Sequence, residues 1–218
     1  MKHYPVFVLN GWAAGESAWD LCRFRRDRIF GYVEQLDGKA SEALENSDGA
    51  VLVGWSMGGS TALRLAVSMP EKIKGLILVA ATARMMKDKN WEGMSERRLA
   101  ALEAGLKMTR GEGLFAPPPG RPNPYILDTE ANLSRGLDYL RETDLRLDLI
   151  DLMASGRFRA KTKIFQSDAD GIVRPQNAKF LSAVFTGADV EIVPGQEHVL
   201  SLSIPDKIDA AVAEIAGR

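Results

Sequence analysis

The sequence predicts an α/β fold with a mostly parallel, doubly wound sheet and a small helical cap. Short runs rich in Val, Ile and Leu alternate with helical patterns at both ends of the chain, whereas its middle is helical and charged. Strands that alternate with helices favour a parallel sheet covered on both faces. Buried strands of such a sheet lose the in/out alternation of apolar residues, as these runs do.

Five apolar runs are predicted to be the strands of this sheet. They are PVFVLN (5–10), AVLVGW (50–55), GLILVA (75–80), KIFQ (163–166) and VEIV (190–193). The stretch DRIFGYVEQLDG (27–38) is expected to contain one more strand.

Proline marks the boundaries of the helices between these strands. The helix predicted over 57–69 stops at Pro70, whereas the helices predicted over 175–185 and 205–216 begin with proline. Proline is favoured in a first helical turn, where its missing amide hydrogen costs nothing.

A helical segment over 84–155 interrupts the alternation, with helical patterns at 91–108 and 129–153. An insertion between strands of an open sheet is expected to cover the carboxyl ends of the strands, where ligands bind. We therefore predict a core formed by 1–83 and 156–218, with 84–155 as a cap or lid. A second helical layer with no role in access is the alternative.

Composition limits the class of protein. The chain has 218 residues, 45% of them hydrophobic and 26% charged, with a net charge of −1 and a single cysteine, Cys22. This fits one globular domain with a sizeable core and no internal disulfide. We see no signal peptide and no run approaching the roughly 18 apolar residues of a membrane span. The near-neutral net charge does not indicate binding to nucleic acid or to an anionic membrane, so we expect neither partner. Together with the single cysteine, these features lead us to expect a soluble, cytoplasmic protein.

The sequence also predicts no metal and no cofactor. No cluster of His, Cys, Asp and Glu has the spacing of metal ligands, and no phosphate-cradling loop or nucleotide fingerprint is present.

The pentapeptide GWSMG (54–58) matches G-x-S-x-G between a predicted strand and a predicted helix. In this context the motif is typical of a nucleophile elbow, a strained turn that needs small neighbours and lifts the serine hydroxyl above the sheet. The first amides of the helix then face a developing oxyanion. Ser56 is the predicted nucleophile, and an idle serine in a glycine-rich turn is the alternative.

A serine nucleophile needs a base, and the chain has two histidines. His3 precedes the first strand, whereas His198 follows the last strand and is expected at the same sheet edge as Ser56. The base needs an acid that fixes its tautomer. Asp170, after the penultimate strand, is favoured over Asp168, and a turn aspartate bonded to its own loop is the alternative for both.

The oxyanion hole is predicted to use two backbone amides, those of Met57 after the nucleophile and of Trp12 in the loop after the first strand. Gly11 allows the backbone to approach closely there. The side chains of Trp12, Trp55 and Trp91 are candidates for lining an acyl pocket, with ordinary packing as the alternative for each.

Four segments, taken in order, resemble the α/β-hydrolase superfamily along nearly the whole chain: NGW (10–12), GWSMGG (54–59), SDADGIVRP (167–175) and GQEHVLSLSIPDKI (195–208). Within it, NGWAAGESAW (10–19), GWSMGG and NLSRGLDYLRETDLRLDL (132–149) are similar to stretches of the pimeloyl-ACP methyl ester carboxylesterases of biotin biosynthesis. The resemblance implies an α/β-hydrolase fold, a Ser-His-Asp triad and a methyl ester substrate attached to acyl carrier protein (ACP).

The chain departs from this family at three places. Asn10 stands where histidine is usual, the region between the first strand and the elbow lacks the usual Gly-x-Gly-x-Ser loop, and the cap is reduced.

A carrier protein is acidic, so its docking face is expected to be basic. Residues 84–121 hold eight basic and five acidic residues, and Arg97, Arg98 and Arg110 are the candidate docking residues. A solvated helix face is the alternative.

Two other functions stay open: a promiscuous short-chain esterase or thioesterase with the same triad, and a ligand-binding protein on this fold that does not catalyse.

Overall fold

A computed structural model describes residues 3–109 and 120–217. Its strands are β1 (Val6–Leu9), β2 (Arg28–Phe30), β3 (Ala50–Trp55), β4 (Ile73–Val79), β5 (Lys161–Ser167) and β6 (Asp189–Val193). They form one sheet in the order β2-β1-β3-β4-β5-β6, and each pair of neighbours is parallel. The predicted parallel α/β sheet is therefore confirmed, and β2 is the extra strand expected within 27–38.

The helices of the described residues lie between and after these strands. They are α1 (Tyr32–Leu36), α2 (Lys39–Glu45), α3 (Met57–Ser68), α4 (Glu96–Thr109), α5 (Glu130–Glu142), α6 (Arg146–Ala154), α7 (Gln176–Val184), α8 (Leu200–Ser203) and α9 (Pro205–Ala216). Helices α3, α7 and α9 lie where the proline boundaries predict them. Helix α4 begins later than predicted, because residues 86–94 fold back on themselves in short backbone bridges.

Both faces of the sheet are buried, which explains the unbroken apolar runs. All six residues of β3 are buried, and successive side chains point to opposite faces of the sheet. Leu52 packs in one cluster with Leu63 of α3 and Leu181 of α7. Val53 packs in a second cluster with Ile208 of α9.

The segment predicted as a cap divides into two parts. Helices α4 and α5 pack in a third apolar cluster, which also contains Met57 at the start of α3. Helix α6 instead buries Leu149 and Leu152 in the cluster that contains Leu52 of β3 and Leu63 of α3. The helix predicted over 129–153 is thus two helices, because the chain turns at Thr143 and the Leu145 amide donates to the carbonyl of Ala83.

The strand order reverses between β1 and β3, since β2 lies on one side of β1 and β3 to β6 follow on the other. In open α/β sheets the crevice outside the carboxyl ends of the strands at such a reversal is the usual place for a ligand. Ser56 directly follows β3, and the loop over 10–14 directly follows β1. Within residues 3–109 and 120–217, no helix is long and apolar enough to cross a membrane.

Candidate active site

Ser56 lies in a strained turn between β3 and α3. Its backbone has φ 56° and ψ −119°, a conformation that costs a residue with a side chain about 1–3 kcal/mol. The turn leaves no room for side chains on the motif glycines. A Cβ on Gly54 would lie 2.6 Å from the carbonyl oxygen of Gly58, and a Cβ on Gly58 would lie 2.0 Å from that of Leu9. The glycines on both sides of Ser56 are therefore a packing requirement of the elbow.

His198 joins Ser56 to Asp170. Its Nε2 lies 2.8 Å from Ser56 Oγ, and its Nδ1 lies 2.7 Å from Asp170 Oδ2. All three side chains are buried. When Nδ1–H donates to the carboxylate, Nε2 is left to accept the serine proton, which is the arrangement of nucleophile, base and orienting acid.

Asp170 is fixed by the loop that follows β5. Its Oδ1 accepts hydrogen bonds from the amides of Ile172 at 2.8 Å and Val173 at 2.9 Å. Burial acts to raise the pKa of Asp170, but the charge of His198 and the hydrogen bonds from His198 and the two amides outweigh it. The pKa of this carboxyl therefore lies below its ordinary value, and the group stays ionised beside the imidazole.

The other candidate acid and base lie apart from this chain of hydrogen bonds. Asp168 accepts a hydrogen bond from the amide of Gly195 at 2.7 Å and so links the loops after β5 and β6. His3 is exposed and precedes β1, at the opposite end of the sheet from Ser56.

Trp12 lies in a tight turn at the end of β1, which the Ala14 amide closes on the carbonyl of Gly11 at 3.2 Å. Ala13 in this turn has φ 56°, in the left-handed region that disfavours a side chain. Met57 begins α3, so its amide has no acceptor within the helix and lies at the positive end of the helix dipole. Met57 directly follows Ser56, and Gly11, next to Trp12, lies so close to the elbow that a Cβ on it would be 3.3 Å from Ser56 Cβ.

Asn10 anchors the same turn through its side-chain amide. Its Oδ1 accepts a hydrogen bond from Trp19 Nε1 at 2.6 Å, and its backbone carbonyl accepts one from Gln35 Nε2 at 2.9 Å. Asn10 is buried, as are both partners. No local pattern marks Trp19 or Gln35 as a partner of Asn10, and sequence reasoning missed both.

A cavity of about 190 Å³ lies over Ser56 and His198. Its wall is mostly apolar, and much of it comes from α4 and α5. The lining side chains are Trp12, Trp55, Met85, Met94, Arg98, Leu99, Leu102, Tyr125, Leu137, Leu140 and Ile172. An apolar wall with a few polar groups at one end is the usual form of a site for a small organic ligand.

The predicted pocket tryptophans divide between this cavity and other parts of the fold. Trp12 and Trp55 line it, and Trp55 Nε1 also donates to the carbonyl of His198 at 3.0 Å. Trp91 lies outside the cavity, with its ring packed edge-on against Phe180 at a centroid distance of 5.2 Å. Its Nε1 donates to the carbonyl of Arg84 at 2.8 Å, so Trp91 packs the base of the cap. The sequence pattern could not show this, because Phe180 is 89 positions away.

The predicted docking arginines differ in their surroundings. Arg98 is at the rim of the cavity and donates from Nη1 to the carbonyl of Gly171 at 3.0 Å. Arg97, next to it on α4, is exposed to solvent. Arg110 lies outside the described residues. In the part of the chain that the structure describes, no group of three or more His, Cys, Asp or Glu side chains is placed to hold a metal ion.

A sequence model of the alpha/beta hydrolase family matches residues 6–211 of this chain. The chain belongs to this family. A pimeloyl-(acyl-carrier protein) methyl ester esterase of Edwardsiella ictaluri is 30% identical over 97% of this chain and 92% of the relative. The esterase of the same description from Nitrosospira multiformis is 26% identical over 97% of this chain and 94% of the relative. This alpha/beta hydrolase is accordingly a carboxylic ester hydrolase.

Solved structures share the fold at lower identity. An esterase from Exiguobacterium antarcticum superposes with a TM-score of 0.77 at 18% identity, covering 99% of this chain and 92% of that one. A hydrolase from Pseudomonas aeruginosa superposes with a TM-score of 0.71 at 19% identity, covering 99% and 91%.

Proposed function

We propose that this hydrolase cleaves a carboxylic ester through an acyl-enzyme on Ser56, and that its substrate is the methyl ester of pimeloyl-ACP in biotin biosynthesis. The observation that carries the chemistry is the continuous chain of hydrogen bonds from Asp170 through His198 to Ser56 Oγ, beneath a mostly apolar cavity.

The reaction follows from this geometry in two halves. His198 Nε2 takes the proton of Ser56 as Oγ attacks the ester carbonyl, and the amides of Met57 and Trp12 hold the oxyanion. The tetrahedral intermediate collapses, and His198 returns the proton to the leaving methoxy oxygen, so methanol departs. Water then loses a proton to His198, attacks the acyl-enzyme and releases the free acid, and Ser56 regains its proton.

The shape and lining of the cavity support an aliphatic acyl chain. The carbonyl at Ser56 is the reactive end, and side chains such as Leu99, Leu137 and Ile172 offer apolar contact to the methylenes. Arg98 and Tyr125 are polar members of the lining. A short aliphatic acyl chain with its ester carbonyl at Ser56 fits this mostly apolar wall.

Carrier attachment rests on the relatives and on the charge of the cap. The curated relatives are named for a carrier-linked methyl ester. Arg97 is exposed on α4 beside the cavity rim, where positive charge steers an acidic partner towards the site. The alternative is a promiscuous short-chain esterase or thioesterase that uses the same triad on a free substrate.

The deciding experiment compares methyl pimeloyl-ACP with free dimethyl pimelate, p-nitrophenyl acetate and p-nitrophenyl butyrate. We expect the highest kcat/KM for the carrier-linked ester, and loss of all four activities in Ser56→Ala. Equal or higher kcat/KM for the free esters would favour the short-chain esterase. Activity of Ser56→Ala within about tenfold of wild type would contradict the Ser56 mechanism. Absence of hydrolysis of all four esters by the wild-type protein would favour a binding protein.

A further inference from the structure

The loop that carries Trp12 is held by the chain segment over 123–136, which we call the brace. The Gly15 amide donates to the carbonyl of Pro124, and the Ile126 amide donates to the carbonyl of Ala13, both at 2.9 Å. Ser17 Oγ adds a hydrogen bond to the carbonyl of Asn123 at 2.7 Å. The oxyanion loop is therefore paired, backbone to backbone, with the cap segment.

The brace also reaches the Trp12 side chain through α5. Trp12 Nε1 donates to the carbonyl of Leu133 at 3.0 Å, across 121 positions of sequence. One turn along, Gly136 lies directly against the indole. A Cβ at Gly136 would be 2.3 Å from Trp12 Cδ1 and 2.6 Å from Nε1, with Tyr32 Cδ2 at 3.3 Å behind it. No Cβ fits at this distance, so any side chain at this position has to move the indole or α5.

We infer that the brace positions the backbone amide of Trp12 for the oxyanion, and that Gly136 is a positioning residue for ester hydrolysis. The inference rests on the proposed function. An oxyanion donor acts only at about 2.7–3.1 Å from the developing charge, and a displacement of about 1 Å can cost about 10²-fold in rate. Ala13 next to Trp12 has a strained backbone, which persists only when its surroundings fix it. Its carbonyl is the group that the Ile126 amide holds.

Gly136→Ala tests this inference. We expect kcat for p-nitrophenyl acetate to fall about 10- to 100-fold, because the displaced indole carries the Trp12 amide with it. KM should stay within about threefold, because the apolar wall is retained. Affinity for an alkyl boronic acid, whose tetrahedral adduct on Ser56 mimics the oxyanion, should fall by the same factor as kcat. A merely structural role would not couple these two losses while sparing KM.

Gly31→Ala is the matched control, since its added methyl meets only Glu34 Oε2 at 3.8 Å. It should keep wild-type kcat. Alanine is a better helix former than glycine, so propensity alone would favour a folded Gly136→Ala. Thermal unfolding of each variant verifies that the comparison is made between folded proteins.

Trp12→Phe gives a second test, which does not depend on the folding of Gly136→Ala. It removes the N–H that reaches Leu133 and keeps an aromatic ring, so kcat should again fall with little change in KM. Because the smaller ring relieves the contact at Gly136, the double variant should be no slower than the slower single variant. If the loss in kcat of the double variant equals the product of the two single losses, the two residues do not act through the same contact and the inference is overturned.

The proposed positioning role of the brace is wrong if Gly136→Ala and Trp12→Phe both keep kcat and boronic acid affinity within about threefold of wild type. Ser56→Ala separates this failure from failure of the proposed function. If Ser56→Ala is inactive and Gly136→Ala is fully active, only the positioning role of the brace is excluded. If Ser56→Ala stays active, the proposed mechanism itself is excluded.

Discussion

Arg98 of α4 donates a hydrogen bond to the backbone carbonyl of Gly171, at 3.0 Å. Gly171 directly follows Asp170, so this bond joins the cap to the loop that carries the proposed catalytic acid. Reversing the charge of Arg98 would therefore disturb the acid loop as well as any docking surface. Arg97, its exposed neighbour, is the cleaner probe of carrier docking.

Arg97→Glu is expected to raise KM for methyl pimeloyl-ACP several-fold and to leave kcat unchanged, because an exposed charge mainly affects encounter. Raising salt to about 0.5 M should likewise slow only the carrier-linked substrate, since exposed charges are screened beyond roughly 8 Å at physiological ionic strength. Steady-state kinetics on both substrates measure the difference.

The matched control is Lys161→Glu, at the amino end of β5 and thus at the opposite edge of the sheet. Its KM for the carrier substrate should remain that of wild type. A neutral ester that responds to Arg97→Glu and to salt as strongly as the carrier substrate would remove the case for docking on α4.

Asp170→Asn should lower kcat/KM by about 10⁴-fold, the loss seen when the acid of a serine protease triad becomes an amide. Asp168→Asn should cost less than about tenfold, because Asp168 bonds the Gly195 amide and not the imidazole. Both variants are measured with p-nitrophenyl acetate. Similar, mild losses in the two would assign the acid to another carboxylate.

Local patterns predict the parts of the site that depend on one strand and one turn. Ser56 follows an unbroken apolar strand, and His198 and Asp170 each follow another, so parallel topology brings all three to one edge. The contacts of Asn10 with Trp19 and Gln35 and of Trp12 with α5 were not predictable in this way. They depend on how helices pack, which no repeating pattern encodes.

The packing of the helices in the predicted cap was also not predictable from sequence patterns. The helical pattern over 129–153 correctly predicts helix for most of this stretch, but it cannot tell which cluster the apolar side chains join. Neither Gly nor Pro marks the break at Thr143, since the turn there is fixed by the Leu145 amide on the Ala83 carbonyl. The position of α6 in the core, rather than in the cap, is thus a tertiary outcome.

Asp144 provides a test of pH-dependent stability at the base of the cap. Its carboxylate accepts hydrogen bonds from Arg146 and Arg84, and the Arg146 bond is the largest cause that lowers its pKa from 3.8 to about 2. The folded pKa lies below the unfolded one, so the ionised form stabilises the fold above about pH 3.8. That stabilisation is lost as pH falls through about 2.

Asp144→Asn should therefore be destabilised at pH 7, with a difference from wild type that shrinks between about pH 4 and pH 2. Urea unfolding at a series of pH values measures it. Asp148→Asn, an exposed position on α6, is the control and should follow wild type. A constant difference for Asp144→Asn across this range would show that the ion pairs contribute nothing through charge.

Cys22 should react slowly with thiol reagents in the native protein. It is buried, and its Sγ donates to the carbonyl of Ser201 at 3.5 Å. Burial, with a further contribution from Asp209, raises the pKa of the thiol to about 12, and only the thiolate is nucleophilic. With Ellman's reagent at pH 8 we expect slow release in buffer and one rapid equivalent in urea. Rapid reaction in buffer would mean that Cys22 opens to solvent.

The place of β1 between β2 and β3 has a consequence for synthesis of the chain. Its four apolar side chains are buried, yet both of its partners in the sheet, β2 and β3, lie later in the sequence. On the ribosome, β1 precedes both partners, and its edge towards β3 stays unpaired until residue 55 has been added. Nascent chains that stall before β3 therefore expose a short apolar strand with at least one open edge, which is a template for aggregation. The residues that end this vulnerable period are the same ones that lead into the Ser56 elbow.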